Sequence, residues 1–95
     1  MSTSLTGAEK SRLRSRGQTL DASLKIGREG GSDAVVQSLN RLLAAHDLVK
    51  VRFTAADRSE RRSLTALLAA STGSSCVGSV GATALFHRES PPDEA

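Results

Sequence analysis

Between Leu48 and Thr54 apolar and polar side chains alternate, with Val49, Val51 and Phe53 on one side and Lys50 and Arg52 on the other, the period of a half-buried strand. Elsewhere the period lengthens to that of a helix. Val35, Leu39, Leu42 and Leu43 recur at i, i+4, i+7 and i+8 behind Ser32, a residue suited to helix capping, and Asp33, whose charge suits a helix start. Leu64, Leu67, Leu68 and Ser71 form a similar stripe. Asp57 and Glu60 precede it with the cap-plus-three spacing of a helix N-terminus, and Gly73 follows as a stop. Thr6 and Glu9 repeat that spacing near the start of the chain. They predict a helix from about Thr6 to Arg16, ended by Gly17, with Leu5, Ala8 and Leu13 as apolar anchors and Lys10, Arg12, Arg14 and Arg16 on its exposed side.

Three shorter strands complete the pattern. In Ala22 to Ile26, Leu24 and Ile26 alternate around Lys25, and the segment runs into a turn, Gly27-Arg28-Glu29-Gly30-Gly31. Cys76 to Val80 and Thr83 to Arg88 read as an antiparallel pair joined by Gly81-Ala82, whose leading glycine suits a type II′ hairpin. The predicted order is αβαβαββ, an α/β fold. Strand–helix–strand crossovers imply parallel neighbours, so the four strands should form a mixed sheet carrying helices.

Composition sets bounds on this picture. At 95 residues, 38% hydrophobic and 24% charged, the chain has room for one ordinary core. The expected layout is a single domain over residues 1–88 and a disordered acidic tail over 89–95, where Pro91 and Pro92 lie among Glu89, Asp93 and Glu94. The opening MSTSLTGAEK has no apolar signal region and no run of 18 apolar residues occurs, so a cytoplasmic protein without a membrane partner is expected. Cys76 is the single cysteine, and with His46 and His87 it offers too few soft ligands for structural zinc. No cofactor is implied.

The charge is uneven. Setting aside Glu89, Asp93 and Glu94 leaves 13 basic against 7 acidic side chains, a net +6 over residues 1–88. Such a surface attracts polyanions through their phosphates and releases counterions on binding.

Chemistry-bearing residues are few. His46, Asp47, Cys76 and His87 fall in different predicted elements with no nucleophile motif, so catalysis and a small-molecule substrate are not expected. The two aromatic residues, Phe53 and Phe86, both have core spacing, which argues against a base-stacking platform and for recognition through backbone and shape. Arg58, Arg61 and Arg62 cluster at the start of the last helix. Two readings fit them, a solvated face paired with Glu60 or a face turned to nucleic acid. The Gly27 to Gly30 turn stands between a strand and a helix start, where absent side chains and free amides allow close approach of a phosphate. A GxxG of this kind clamps nucleic-acid backbone in KH-type modules, while βα turns also use glycine for geometry alone, and the turn by itself fits both readings. It matches neither the dinucleotide fingerprint nor the phosphate loop of nucleotide-binding proteins.

Several pieces in order resemble the CRM domain family, its bacterial YhbY-like members in particular. They are Leu5-Thr6 opening a basic helix, Leu24-Lys25-Ile26-Gly27-Arg28-Glu29-Gly30 as strand and GxxG loop, His46 to Arg52 as the second strand, and Gly81 to Arg88 as the closing strand with its arginine. The resemblance implies a KH-like αβαβαββ fold similar to the C-terminal domain of translation initiation factor three. It also implies RNA binding, with bacterial members associated with large-subunit ribosomal precursors and plant relatives with intron splicing. Carried over, the RNA-contacting loop falls on Gly27, Arg28, Glu29 and Gly30. Ala82 stands where relatives commonly have a lysine, which removes a basic contact from the hairpin tip. The candidate RNA-binding set is Gly27, Arg28, Glu29, Gly30 and Gly31 with basic support from Lys25, Lys50, Arg52, Arg12 and Arg16. The expected partner is ribosomal RNA of the large-subunit precursor, met by a monomer. The alternative is a module that reaches the ribosome through ribosomal proteins.

Overall fold

In a computed structural model describing residues 6–89, the chain forms α1 (Gly7–Gln18), β1 (Leu24–Ile26), α2 (Asp33–Ala45), β2 (Leu48–Phe53), α3 (Arg58–Thr72), β3 (Ser75–Val80) and β4 (Thr83–His87). The sheet order is β1-β2-β4-β3. β1 and β2 are parallel, joined through α2, whereas β4 runs antiparallel to both β2 and β3. This is the mixed αβαβαββ arrangement expected. Leu5 and most of the predicted acidic tail lie outside the described residues.

The two capping boxes explain where α1 and α3 begin. Thr6 accepts from the Glu9 amide and the Glu9 carboxylate accepts from the Thr6 amide, and Asp57 and Glu60 do the same for α3. Gly73 ends α3 in the left-handed conformation at φ +65°, where glycine carries no Cβ penalty. At the hairpin Gly81 has φ +57° and Ala82 does not share the positive sign, which fits the type II′ expectation and excludes type I′.

Both sheet faces are covered, by different helices. On one face Ile26, Val49, Val51, Phe53, Ala84 and Phe86 meet Val35, Leu39 and Leu43 of α2 and Leu68 of α3. Burial in α3 falls on Leu68 and Thr72, one position beyond the predicted Ser71, which is exposed. On the other face a smaller cluster joins Leu13 of α1 to Leu48, Val77 and Leu85. Cys76 packs with the main core and Val77, the next residue of the strand, turns to α1 by ordinary alternation. A bulge between Cys76 and Gly78 then sets Gly78 opposite Leu85, so that it too lies on the α1 side.

Gly17 is not the stop of α1. The helix runs on to Gln18, and Gly17 is buried within it because Leu13 and Gly17, four residues apart, share the face pressed on the sheet. A Cβ there would lie 2.3 and 2.7 Å from the two methyls of Leu85, itself only 8% exposed. Gly17→Ala sets a helix-propensity gain of about 1 kcal/mol against overpacking of about 1–3 kcal/mol, and overpacking should win. Denaturant unfolding is expected to show a net loss of up to about 2 kcal/mol. Gly31→Ala meets an equally close atom, the Leu67 methyl at 2.4 Å, but Leu67 is 47% exposed and free to swing away. Its cost should stay within about 0.5 kcal/mol.

Arg88 fastens the end of β4. Its Nη1 donates to Asn40 Oδ1 at 2.7 Å and to the Thr72 carbonyl at 2.8 Å, and its Nη2 donates to the Asn40 carbonyl at 3.1 Å. Thr72 O belongs to the last turn of α3, where carbonyls lack helical partners. One guanidinium thus ties β4 to both α2 and α3.

Candidate nucleic-acid interface

Ile26, which closes β1, lies beside Phe53, which closes β2, and Thr83 at the start of β4 pairs with Arg52. The glycine turn, the connection into α3 and the Gly81-Ala82 hairpin therefore gather at one end of the sheet. Hydrogen bonds knit that end together. The Thr54 amide donates to Ile26 O and the Phe53 amide to Ala82 O, both at 2.8 Å.

The turn is closed by Gly30 N–H to Gly27 O at 3.2 Å and Ser32 N–H to Glu29 O at 3.3 Å. Gly30 sits at φ +57°, a conformation that favours glycine. α3 backs the turn: Cβ atoms built on Gly30 and Gly31 would touch the methyls of Leu64 and Leu67. Among the described residues, the amides of Arg28, Glu29 and Gly31 donate to no protein acceptor. They stand just ahead of α2, capped by Ser32, where the helix dipole adds positive potential. Acidic groups oppose this field, Asp33 in the first turn of α2 among them. A Glu29 carboxylate oxygen folds back to 3.2 Å from where a Gly27 Cβ would be.

Lys25 pairs in register with Arg52 across the parallel β1–β2 ladder, so the two exposed side chains project side by side from the α1 face. Lys50 shares that face but is half-buried, and its Nζ donates to the Leu20 carbonyl at 3.1 Å. The expectation that Lys50 is free needs correcting, because α1 and the chain leaving it cover this stretch. Arg14, absent from the candidate set, joins Lys50 and Arg52 around a groove of about 470 Å³ floored by Leu85 and free of carboxylates. Its stem lies over Gly78 and its Nη1 donates to Val77 O at 3.2 Å. Reading Arg14 as part of the exposed side of α1 hid this role: it is exposed, but it stands next to Leu13 and reaches the sheet.

Arg16 and Arg12 are not brought to the turn. Arg16 donates twice to Asp47, at 3.0 and 3.2 Å. Asp47 precedes β2, whereas the turn lies level with its end, a strand length of roughly 17 Å away. The Arg16 hydrogen bond holds the Asp47 carboxyl below its ordinary range, but both side chains are about half exposed, and such pairs contribute little stability. Arg12 is exposed on α1, with Glu9 one turn earlier in the helix. Of the groups considered for acid–base chemistry, Asp47 is held in that ion pair. Cys76 is half-buried, and burial pushes its thiol up, away from a reactive thiolate. Among the described residues no group of three His, Cys, Asp or Glu side chains could hold a metal ion, and no helix is long and apolar enough to cross a membrane.

A mixed α/β sheet thus sets the unbonded amides of Arg28, Glu29 and Gly31 at a helix start, near the adjacent cations Lys25 and Arg52. The family profile of the CRS1 / YhbY (CRM) domain matches residues 5–88, and the chain belongs to that family. A Pseudomonas aeruginosa protein named Probable RNA-binding protein PA4753 is 36% identical over 87 residues, 92% of this chain and 84% of that protein. Probable RNA-binding protein YqeI of Bacillus subtilis is 27% identical over 86 residues, 90% of each. The solution structure of Staphylococcus aureus SAV1595, described as a candidate RNA binding protein, superposes with a TM-score of 0.83 at 26% identity, covering 96% of this chain and 95% of that one.

Proposed function

We propose that this domain binds structured ribosomal RNA in large-subunit precursors during ribosome assembly in the cytoplasm, setting the Gly27–Gly31 turn against the sugar–phosphate backbone without catalysing a reaction. The observation that carries this is the set of unpartnered amides at Arg28, Glu29 and Gly31, beside the adjacent Lys25 and Arg52. Phosphate oxygens accept from such amides and neutralise such cations. Family membership and the names of the relatives support RNA as the polyanion. With Phe53 and Phe86 both in the core and no tyrosine or tryptophan in the chain, there is no Phe, Tyr or Trp platform to stack bases, and binding should be shape-led and steeply salt-dependent.

Crosslinking in cells followed by sequencing of the attached RNA tests the target. Reads concentrated in large-subunit precursors are expected, and reads spread over unrelated transcripts would refute the assignment. Co-sedimentation with ribosomal particles should also vanish after RNase digestion. Persistence, with no affinity for purified RNA, would favour contact through ribosomal proteins.

Glu29 supplies a further prediction. Its carboxylate lies over the turn and competes with phosphate, so Glu29→Gln should tighten RNA binding several-fold at low salt, with the gain shrinking as screening increases. Unchanged affinity in a fluorescence titration would show that the carboxylate swings clear at no cost.

A further inference from the structure

α3 has a second flank that the glycine turn does not use. Leu64 and Leu67 back the turn, whereas Arg58, Arg62, Thr65 and Ala69 face β3 and the hairpin across a groove of about 830 Å³. No carboxylate lines it, and the Thr65, Ser79 and Thr83 hydroxyls do. The sequence left open whether Glu60 neutralises the arginine cluster. Glu60 instead accepts from the Asp57 amide at 3.1 Å, and Asp57 accepts from the Glu60 amide at 2.8 Å. Both carboxylates thus bond the cap amides rather than an arginine, and among the described residues the one ion pair is Arg16 with Asp47. Arg61 is anchored, its Nη1 donating to Ala56 O at 3.0 Å.

We infer that this groove is a second RNA-backbone site, in which Arg58 and Arg62 hold phosphates while the glycine turn on the opposite flank of α3 holds others. The inference rests on the RNA reading above. Charge complementarity selects the occupant: guanidinium groups with nearby hydroxyls suit phosphodiester oxygens, and among the described residues neither cation is held in an ion pair. Because α3 lies between the two sites, they stand about one helix diameter apart, roughly 10–12 Å. A single extended strand would have to climb over α3 to reach both. Two strands of a stem, or two segments of a folded RNA, meet them from either side. The domain would then grip folded RNA astride α3 and hold an isolated strand by one flank alone.

The test titrates a fluorescein-labelled stem-loop RNA against the full chain over a range of salt. Arg58→Gln with Arg62→Gln should lower the slope of log affinity against log salt by about 1.4–1.8, the share of two phosphate contacts, and weaken binding roughly tenfold at ~150 mM salt. Arg58→Lys with Arg62→Lys should restore most of the slope, and both pairs should keep the wild-type melting temperature because the side chains are exposed. An unlabelled, unstructured single strand should lose less affinity than the stem-loop. If the glutamine pair leaves slope and affinity unchanged while Gly27→Asp with Gly30→Asp loses binding, the groove is not a site and the turn stands. If the glutamine pair loses binding and the aspartate pair does not, the groove stands and the turn fails. Insensitivity of both overturns both.

Discussion

Placing aspartate at both Gly27 and Gly30 should weaken binding of structured RNA by about a hundredfold at ~150 mM salt. Two effects act together. Each carboxylate puts negative charge beside amides that would face phosphate, and losing two charge-assisted hydrogen bonds at about 1.5 kcal/mol each is a factor of roughly 10². The Gly27 substitution adds bulk 3.2 Å from the Glu29 carboxylate, so two like charges would crowd the turn. The fold should survive: aspartate tolerates the left-handed region better than most residues, and the space beside Gly30 is bounded at 3.6 Å by one Leu64 methyl. Gly30→Asn keeps the backbone preference without the charge and should lose far less. A double variant that melts like the wild type and binds RNA equally well would show that the turn does not meet the backbone.

The largest effect on stability is expected at Arg88. Truncation to alanine removes three donors that serve Asn40 Oδ1, Asn40 O and Thr72 O, and Thr72 is buried. Hydrogen bonds from a charged donor contribute about 1.5–3 kcal/mol each, with losses that overlap. A total loss of roughly 2–4 kcal/mol is reasonable, a large share of the ~5–15 kcal/mol that holds a small domain. Thermal unfolding should drop by about 10–25 °C. Arg88→Lys should recover only part, because an ammonium cannot span acceptors arranged for a planar fork. A loss below about 0.5 kcal/mol would show that the clamp is ornamental.

How much of this was legible in the sequence depends on which interactions are local. Both capping boxes, the β2 alternation and the hairpin glycine report contacts among residues close in the chain, and the elements they predict are present. Gly17 misled because a glycine after a basic run is the ordinary sign of a helix end, and only the fold reveals Leu85 beneath it. Lys50 misled for a related reason. Alternation assigns a side chain to a face but does not say that a helix with a single buried leucine, Leu13, covers that face. The bulge at Val77 leaves no clear mark, since Cys76, Val77 and Gly78 continue a strand-like pattern. The site divides in the same way. Turn, strand and helix start are consecutive, so the glycine turn and its place ahead of α2 could be read from the sequence. The pairing of Arg16 with Asp47 and the groove beside Arg62 join residues far apart in sequence.

The position of β4 bears on how the protein is made. It is the last of the described elements in chain order, yet it lies between β2 and β3. Until it leaves the exit tunnel, β2 has only β1 for a neighbour and Phe86 is missing from the centre of the core. A growing chain therefore has little to gain by folding in stages. Formation of the native sheet, and with it the geometry of the glycine turn, should await completion of Arg88, so that a truncated product emerges as a basic, unfolded segment rather than a partly competent binder.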